Sequence, residues 1–175
     1  LEDAYSDSGS IKSGINADLT IGKIIDTYGD SDNIDASNPI TNIVGSKHND
    51  IIIDSDADNI ILGGLGDDLI EVGEGDDVIY GDNEISSGGK DTFIFKGEFG
   101  NDTIEDFEVN NDKVILEVNE NDSISLEGID TNSVKIKKTN TQDNFLTLNS
   151  TAGIITASTL ALATSEVMGL TTLST

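Results

Sequence analysis

The strongest constraint on the fold is a nine-residue period between Gly45 and Tyr80. Written as four consecutive segments, this stretch reads GSKHNDIII, DSDADNIIL, GGLGDDLIE and VGEGDDVIY. The eighth position is always isoleucine, and the sixth position is occupied by Asp50, Asn59, Asp68 and Asp77. A short fixed period of this kind is typical of solenoids, in which each repeat stacks on its neighbours.

Each nine-residue segment is expected to contain one short strand and one turn. The last three positions favour a strand whose isoleucine points inward while its two neighbours point outward, because strand side chains alternate between faces. The first six positions favour a turn, in which glycine permits positive φ angles or the close approach of the backbone to an ion. Two segments then complete one coil, so stacked coils form two parallel sheets around an inner column of isoleucine side chains.

The charge of the chain indicates what such turns attract. The 175 residues include 34 Asp and Glu against nine basic residues, all of them lysine, which gives a formal charge of −25. This excess argues against nucleic acid as a partner, and it opposes compaction unless cations neutralise it. Hydrophobic residues make up 35% of the chain, which is more than an acidic disordered chain contains.

The predicted turns supply the oxygen ligands that calcium prefers, which are roughly six to eight carboxylate and carbonyl oxygens per ion. Turns on the same side of the solenoid lie two repeats apart, which predicts Asp50 stacked on Asp68 and Asn59 stacked on Asp77. We expect the Asn59 site to be weaker because the amide is neutral, and Asp68 to contact two ions. Backbone groups should complete the shells, with ligands from the turns at Gly63, Gly64, Leu65, Gly66, Gly73, Gly75 and Gly81.

A different calcium motif is a poorer match to the same stretch. Asp54, Asp56 and Asp58 have the spacing that opens an EF-hand loop. That loop needs glycine at its sixth position and glutamate at its twelfth, and these positions hold Asn59 and Leu65. The repeat therefore explains the aspartates better than an EF-hand does.

The chain offers few groups for catalysis, and we expect no enzymatic activity. It contains one histidine, His48, and no cysteine, which excludes paired-histidine zinc motifs, thiolate sites and disulfides within this chain. A Ser-His-Asp triad would have to use His48 inside an ion-binding turn. Paired carboxylates can act as acid and base, but aspartate-rich turns produce such pairs anyway. No uncharged apolar run reaches the length of a membrane-spanning helix.

The repeats resemble those of the RTX (repeat-in-toxin) proteins that bacteria export by type I secretion. The resemblance continues into SSGGKDTFIF at 86–95 and NDTIEDFEVNNDKVIL at 101–116, which are similar to the C-terminal cap of serralysin-type metalloproteases. On the N-terminal side, IIDTYGDSDNIDAS at 24–37 resembles the strand that leads into the roll in this family. The resemblance implies further metal ligands at Asp91, Asp102, Asp106 and Asp112.

Together these features predict an all-β fold. We expect a parallel β-roll over 44–95, a β segment leading into it at 1–43, and a β-rich antiparallel cap or sandwich at 96–150. Residues 151–175 are low in charge and rich in Ser, Thr, Ala and Leu. This last stretch is compatible with a short helix over 157–170 and with a role in secretion.

The resemblance implies a calcium-binding module of a larger secreted bacterial protein, found outside the cell or at its surface. Such a module would fold on several calcium ions after type I secretion and serve secretion, stability or surface attachment. Two alternatives stay open: a surface-layer or adhesin domain, and the C-terminal domain of an extracellular metalloprotease, lipase or polysaccharide epimerase. The expected partners are calcium, the type I secretion machinery, and cell-surface polysaccharide or a second copy of the chain.

Overall fold

The structure, a computed structural model, describes residues 13–35, 40–82, 88–139, 143–150, 153–156, 162–166 and 169–172. These residues form sixteen β-strands and no helix, so the described part of the chain has no helix able to cross a membrane. The strands are arranged in two sheets, one of nine strands and one of seven.

In chain order, the nine-stranded sheet contains β1 (Asn16–Asp18), β2 (Lys23–Ile25), β3 (Ser31–Asn33), β5 (Ile51–Ile53), β7 (Leu69–Val72), β9 (Thr92–Phe95), β11 (Lys113–Val118), β15 (Leu162–Glu166) and β16 (Gly169–Thr172). The seven-stranded sheet contains β4 (Asn42–Val44), β6 (Ile60–Gly64), β8 (Val78–Asp82), β10 (Asn101–Ile104), β12 (Ser123–Glu127), β13 (Ser133–Thr139) and β14 (Asp143–Asn149). Their spatial orders are β16-β15-β11-β9-β7-β5-β1-β2-β3 and β12-β13-β14-β10-β8-β6-β4.

The predicted coil of two repeats is confirmed. Strand β5 pairs in parallel with β7, which places Ile52 opposite Ile70, and β6 pairs in parallel with β8, which places Ile61 opposite Ile79. All four isoleucines are fully buried. Since their outward neighbours keep some exposure, the alternation of faces within each short strand is as the repeat predicts.

Parallel coils continue beyond residue 95, the predicted end of the roll. Strands β9 and β11 extend the nine-stranded sheet, and β10 extends the seven-stranded sheet. Phe93, Ile104 and Val114 take over the inward position and are fully buried. One hydrophobic core therefore runs from the repeats into the region that resembles the serralysin cap.

Antiparallel strands flank the coils at both ends; β structure was predicted on both sides, and its antiparallel arrangement for the cap at 96–150. At the N-terminal end β1 adds in parallel to β5, and β2 and β3 then add in antiparallel fashion. At the C-terminal end β14 adds in parallel to β10, and β13 and β12 follow antiparallel to it.

The predicted short helix over 157–170 is wrong for the residues that the structure describes there. Residues 162–166 form β15, which pairs in parallel with β11, and 169–172 form β16, antiparallel to β15. The reason is tertiary: the free edge of β11 offers a row of unpaired backbone groups, and a threonine-rich segment suits a strand. Residues 157–161 and 167–168 lie outside the described residues.

Candidate metal sites in two files of aspartates

Four aspartates end consecutive turns on one side of the solenoid and form the Asp50 file, which consists of Asp50, Asp68, Asp91 and Asp112. The backbone N–H of Asp50 donates to Oδ1 of Asp68 at 2.8 Å, Asp68 donates to Asp91 at 2.9 Å, and Asp91 donates to Asp112 at 3.0 Å. All four residues are buried. The predicted stacking of Asp50 on Asp68 is confirmed, and two residues from the cap region extend the file.

The opposite side of the solenoid carries the Asn59 file, which consists of Asn59, Asp77 and Asp102. The N–H of Asn59 donates to Oδ1 of Asp77 at 2.8 Å, and the N–H of Asp77 donates to Oδ1 of Asp102 at 3.0 Å. These residues are also buried. The predicted stacking of Asn59 on Asp77 is therefore confirmed as well.

Several buried carboxylates in these files have an oxygen without a hydrogen-bond partner. Among the described residues, these atoms are the Oδ2 oxygens of Asp54, Asp68, Asp77, Asp91 and Asp102. A buried polar group without a partner costs roughly 1–3 kcal/mol, and a charged one costs more, so folded proteins seldom keep them. Four of these five oxygens belong to the two files, and the fifth, on Asp54, lies in the turn that ends at Asn59. A proton or a cation beside each of them would offset the cost of burial.

The two ends of the Asp50 file are satisfied by the protein itself. At the N-terminal end, Asp50 accepts from the Ile15 N–H on Oδ1 at 2.6 Å and from the Ser46 N–H on Oδ2 at 2.5 Å. At the other end, Oδ2 of Asp112 accepts from the Glu108 N–H at 2.7 Å, in addition to the file bond on Oδ1. The unpartnered oxygens consequently lie in the layers between these ends.

Nitrogen donors close both ends of the Asn59 file. The Asn59 side-chain amide donates to the Thr41 carbonyl at 2.8 Å, on the side away from the rest of the file. At the other end, Nζ of Lys138 donates at 2.7 Å to the carbonyl of Gly97, the first residue of the turn that ends at Asp102. The ammonium group is fully buried and lies 3.5 Å from Oδ2 of Asp122. Lys138 therefore supplies a fixed positive charge beyond the last layer.

Backbone carbonyls lie beside the carboxylate oxygens at the first position of the turns in the Asp50 file. A Cβ placed on Gly63 would meet the Gly81 carbonyl oxygen and, at 2.5 Å, Oδ2 of Asp68. A Cβ on Gly45 would overlap the Gly63 carbonyl oxygen and Oδ2 of Asp50, so the same arrangement recurs one coil earlier. Glycine leaves this space open, and carbonyl and carboxylate oxygens together border it.

The other predicted turn residues shape the backbone around these spaces. Gly64, Gly66 and Gly75 have positive φ angles of 118°, 118° and 126°. The Leu65 N–H donates to the Ser46 carbonyl at 3.1 Å. Gly73 packs against the Ser55 carbonyl. Asp106 differs from the file aspartates, because its two oxygens accept from the N–H groups of Gly81 at 2.9 Å and Asp82 at 3.0 Å. Both oxygens of Asp106 thus hold the backbone of that turn.

This donor set suits some metals and not others. Within the described ranges, no three His, Cys, Asp or Glu side chains are grouped so as to hold a metal ion by themselves, and His48 is exposed. Spaced carboxylates next to carbonyls fit a hard cation that takes mixed oxygen ligands, as calcium does. They do not fit zinc, which takes a compact set of nitrogen and sulfur ligands.

Burial raises the pKa of the carboxyl groups in both files. The pKa of Asp68 rises to about 7 and that of Asp91 to about 8, mainly because burial penalises the charged form, and nearby carboxylates add to the shift. Burial, followed by the charge of Asp77, raises the pKa of Asp54 and Asp102. Without a cation, these sites therefore favour protons.

Without bound cations, the folded protein is expected to lose stability as the pH rises from about 4 to about 8. In this window Asp68 and Asp91 are ionised in the unfolded chain, whose ordinary value is 3.8, and still protonated in the folded one. A raised folded pKa stabilises the fold below the unfolded value, and that contribution disappears as the pH passes the folded value. Circular dichroism of the chain in a chelator should show more β-structure at pH 5 than at pH 8; the opposite trend would contradict this.

Three features of the site were not predicted. Asp54 is buried and has an unpartnered oxygen, and Asp82 is buried with a pKa raised to about 6, chiefly by burial. Residues 97–105 form a further repeat, GEFGNDTIE, with Asp102 at its sixth position and Ile104 at its eighth. The glycine spacing in that segment, and an aspartate at the first position of the second repeat, were the signals that could have revealed them.

No protein-family model matches the sequence, and no curated protein matches it. The chain is an aspartate-rich β-solenoid. Its parallel coils, its inward isoleucine column and its two files of buried aspartates are compatible with a β-roll.

Proposed function

We propose that this chain is a calcium-binding module of the RTX type, and that calcium binding drives its folding. The observation that supports this most directly is the set of five buried, unpartnered carboxylate oxygens, four of them in the two files and one on Asp54. The Gly81 carbonyl and Oδ2 of Asp68 border the same space at Gly63, and carboxylate and carbonyl oxygens together are the mixed ligands that calcium takes. The sequence resemblance to RTX repeats supports the same conclusion independently.

The proposed ions lie between successive turns of the solenoid. We call each such space a layer, and each file has two of them. The Oδ2 oxygens of Asp68 and Asp91 define the layers of the Asp50 file, and those of Asp77 and Asp102 define the layers of the Asn59 file. Neighbouring turn carbonyls would complete each shell, and calcium supplies there a divalent charge that offsets the buried carboxylates. The module would thereby reduce the self-repulsion of a chain with a formal charge of −25.

Coupling between ion binding and folding follows from this arrangement. The unfolded chain has no preformed sites, so the free energy of ion binding becomes free energy of folding. Extracellular calcium modules bind with dissociation constants of roughly 10⁻⁴–10⁻³ M, which suits a chain that stays unfolded inside the cell and folds outside it. We therefore propose a secreted or cell-surface location, reached by type I secretion, with a stabilising or attachment role.

A calcium titration of the purified chain tests the proposal. Circular dichroism in a chelator at pH 7.5 should show a largely unfolded chain, and calcium should restore the β-signal cooperatively. Calorimetry should then count about four ions per chain, one for each layer defined above. Magnesium at the same ionic strength is the control, and it should restore little because it tolerates such flexible mixed shells poorly.

Two outcomes would contradict the proposal. One is a chain that is equally folded in excess chelator and in calcium at neutral pH, which would mean that the protein itself satisfies the buried carboxylates. The other is a calorimetric titration with no calcium binding to the folded chain.

A further inference from the structure

Asp54 occupies a turn position that the Asp50 file leaves without a side chain. It is the first residue of the second repeat, where the first and third repeats have Gly45 and Gly63 and the fourth has the apolar Val72. A Cβ at Gly63 would point into the interior, at Oδ2 of Asp68. Asp54 accordingly projects a whole carboxylate inward, and it is only 1% exposed.

The contacts of Asp54 leave one oxygen for a ligand. Its Oδ1 accepts from the Ser55 N–H at 2.7 Å, and its Oδ2 has no partner. Asp77, one coil further along, also has an unpartnered Oδ2 and is equally buried. The N–H of Asn59, in the turn that Asp54 begins, donates to Oδ1 of Asp77 at 2.8 Å, so the Asp77 carboxylate lies against this turn. Burial, followed by the charge of Asp77, raises the pKa of Asp54.

The sequence predicts Asn59 as the ligand between these turns, but its side chain is hydrogen-bonded to other residues. Its Oδ1 accepts from the Ser55 hydroxyl at 2.8 Å, and its Nδ2 donates to the Thr41 carbonyl at 2.8 Å on the far side of the turn. The expectation of a weak site was based on Asn59 alone. In the folded chain, the carboxylates that border the layer belong to Asp54 and Asp77.

We propose that Asp54 and Asp77 together bind one divalent cation, calcium, between the turns that end at Asn59 and at Asp77. This inference rests on the proposed function, and it adds a ligand at a repeat position that is glycine in the Asp50 file. Two neighbouring carboxylates in a buried site repel each other strongly unless a cation or a shared proton offsets their charge, and the unpartnered Oδ2 of each leaves an oxygen for a cation. The site thereby gains the negative charge that the neutral Asn59 does not supply.

The test compares Asp54→Asn with Asp56→Asn by calcium calorimetry and by the calcium midpoint of folding. Both variants remove one negative charge from the same turn, but Asp56 is exposed. Asp54→Asn should lose one bound calcium ion per chain, or bind that ion at least about tenfold more weakly, because ligand charge sets affinity in such sites. Asp56→Asn should keep the wild-type stoichiometry.

Folding of each variant is checked first at saturating calcium. If Asp54→Asn does not fold, Asp54→Gly replaces it, since glycine occupies the same position in the turns that begin at Gly45 and Gly63. Wild-type stoichiometry and affinity in these variants would overturn the inference, and would mean that the two carboxyls share a proton. That result would leave the proposed function intact, whereas wild-type protein that binds no calcium would defeat the function itself.

Discussion

Ile70→Ala is expected to destabilise the folded, calcium-saturated protein by about 2–5 kcal/mol. Ile70 is fully buried, and it sits between Ile52 and Phe93 on the neighbouring strands of the nine-stranded sheet. Truncation removes apolar burial and leaves a cavity that stacked coils fill poorly, because each coil is held in register by the next. Denaturation with urea at saturating calcium measures the loss.

The same substitution should raise the calcium concentration needed for folding, although Ile70 contacts no ion. A less stable fold needs more ligand binding free energy before it is populated. Glu71→Ala is the matched control, because Glu71 lies one residue on, faces outward and pairs with Lys96 at 2.7 Å. An exposed pair contributes only about 0–1 kcal/mol. Equal damage from both substitutions would mean that the nine-residue register is shifted by one residue.

Lys138→Met is expected to destabilise the protein by about 3–5 kcal/mol, which is typical when one partner of a buried ion pair is removed. The ammonium is fully buried, donates to the Gly97 carbonyl at 2.7 Å and lies 3.5 Å from Oδ2 of Asp122. Methionine fills nearly the same volume without the charge, so the buried Asp122 carboxylate would lose its cation and the Gly97 carbonyl would lose its donor. Urea denaturation at saturating calcium again gives the magnitude.

Two further variants separate the charge of Lys138 from its packing. Lys135→Met changes an exposed lysine on the same strand, whose Nζ lies 3.9 Å from the centre of the Phe145 ring, and should cost about 0.5–1 kcal/mol. Adding Asp122→Asn to Lys138→Met should recover part of the loss, because it removes the unpaired carboxylate. A loss below about 1 kcal/mol in Lys138→Met would contradict a stabilising role for the buried ammonium.

Local pattern was sufficient to predict the regular part of the fold. Strand side chains alternate between the two faces of a sheet. If the isoleucine at the eighth position of each repeat did not point inward, the whole column of isoleucines would be exposed to solvent. The same period predicted the neighbours in each file, Asp50 with Asp68 and Asn59 with Asp77. These features depend on spacing within about two repeats, which a sequence displays directly.

The continuation of the two files to Asp91 and Asp102 was harder to predict from the sequence, because the nine-residue period is interrupted before these residues. The hydrogen bonds that extend them join Asp68 to Asp91 over 23 residues and Asp77 to Asp102 over 25. Insertions change these intervals without changing the stacking, since a loop can lengthen outside the sheet at little cost in closure entropy. Only the resemblance to the serralysin cap led to Asp91, Asp102 and Asp112.

By itself, the sequence determined the coil, its inward isoleucines and the stacking of the repeat aspartates, because all of these follow from backbone geometry over a few residues. Only the tertiary structure decided which residues lie at the end of the Asn59 file and which segment pairs with the edge of the nine-stranded sheet. Lys138 reaches Gly97 across 41 residues, and 162–166 forms a strand because the edge of β11 is available to it. The burial of Asp54 with an unpartnered oxygen was decided in the same way, because a buried charge takes its role from the groups that surround it in space.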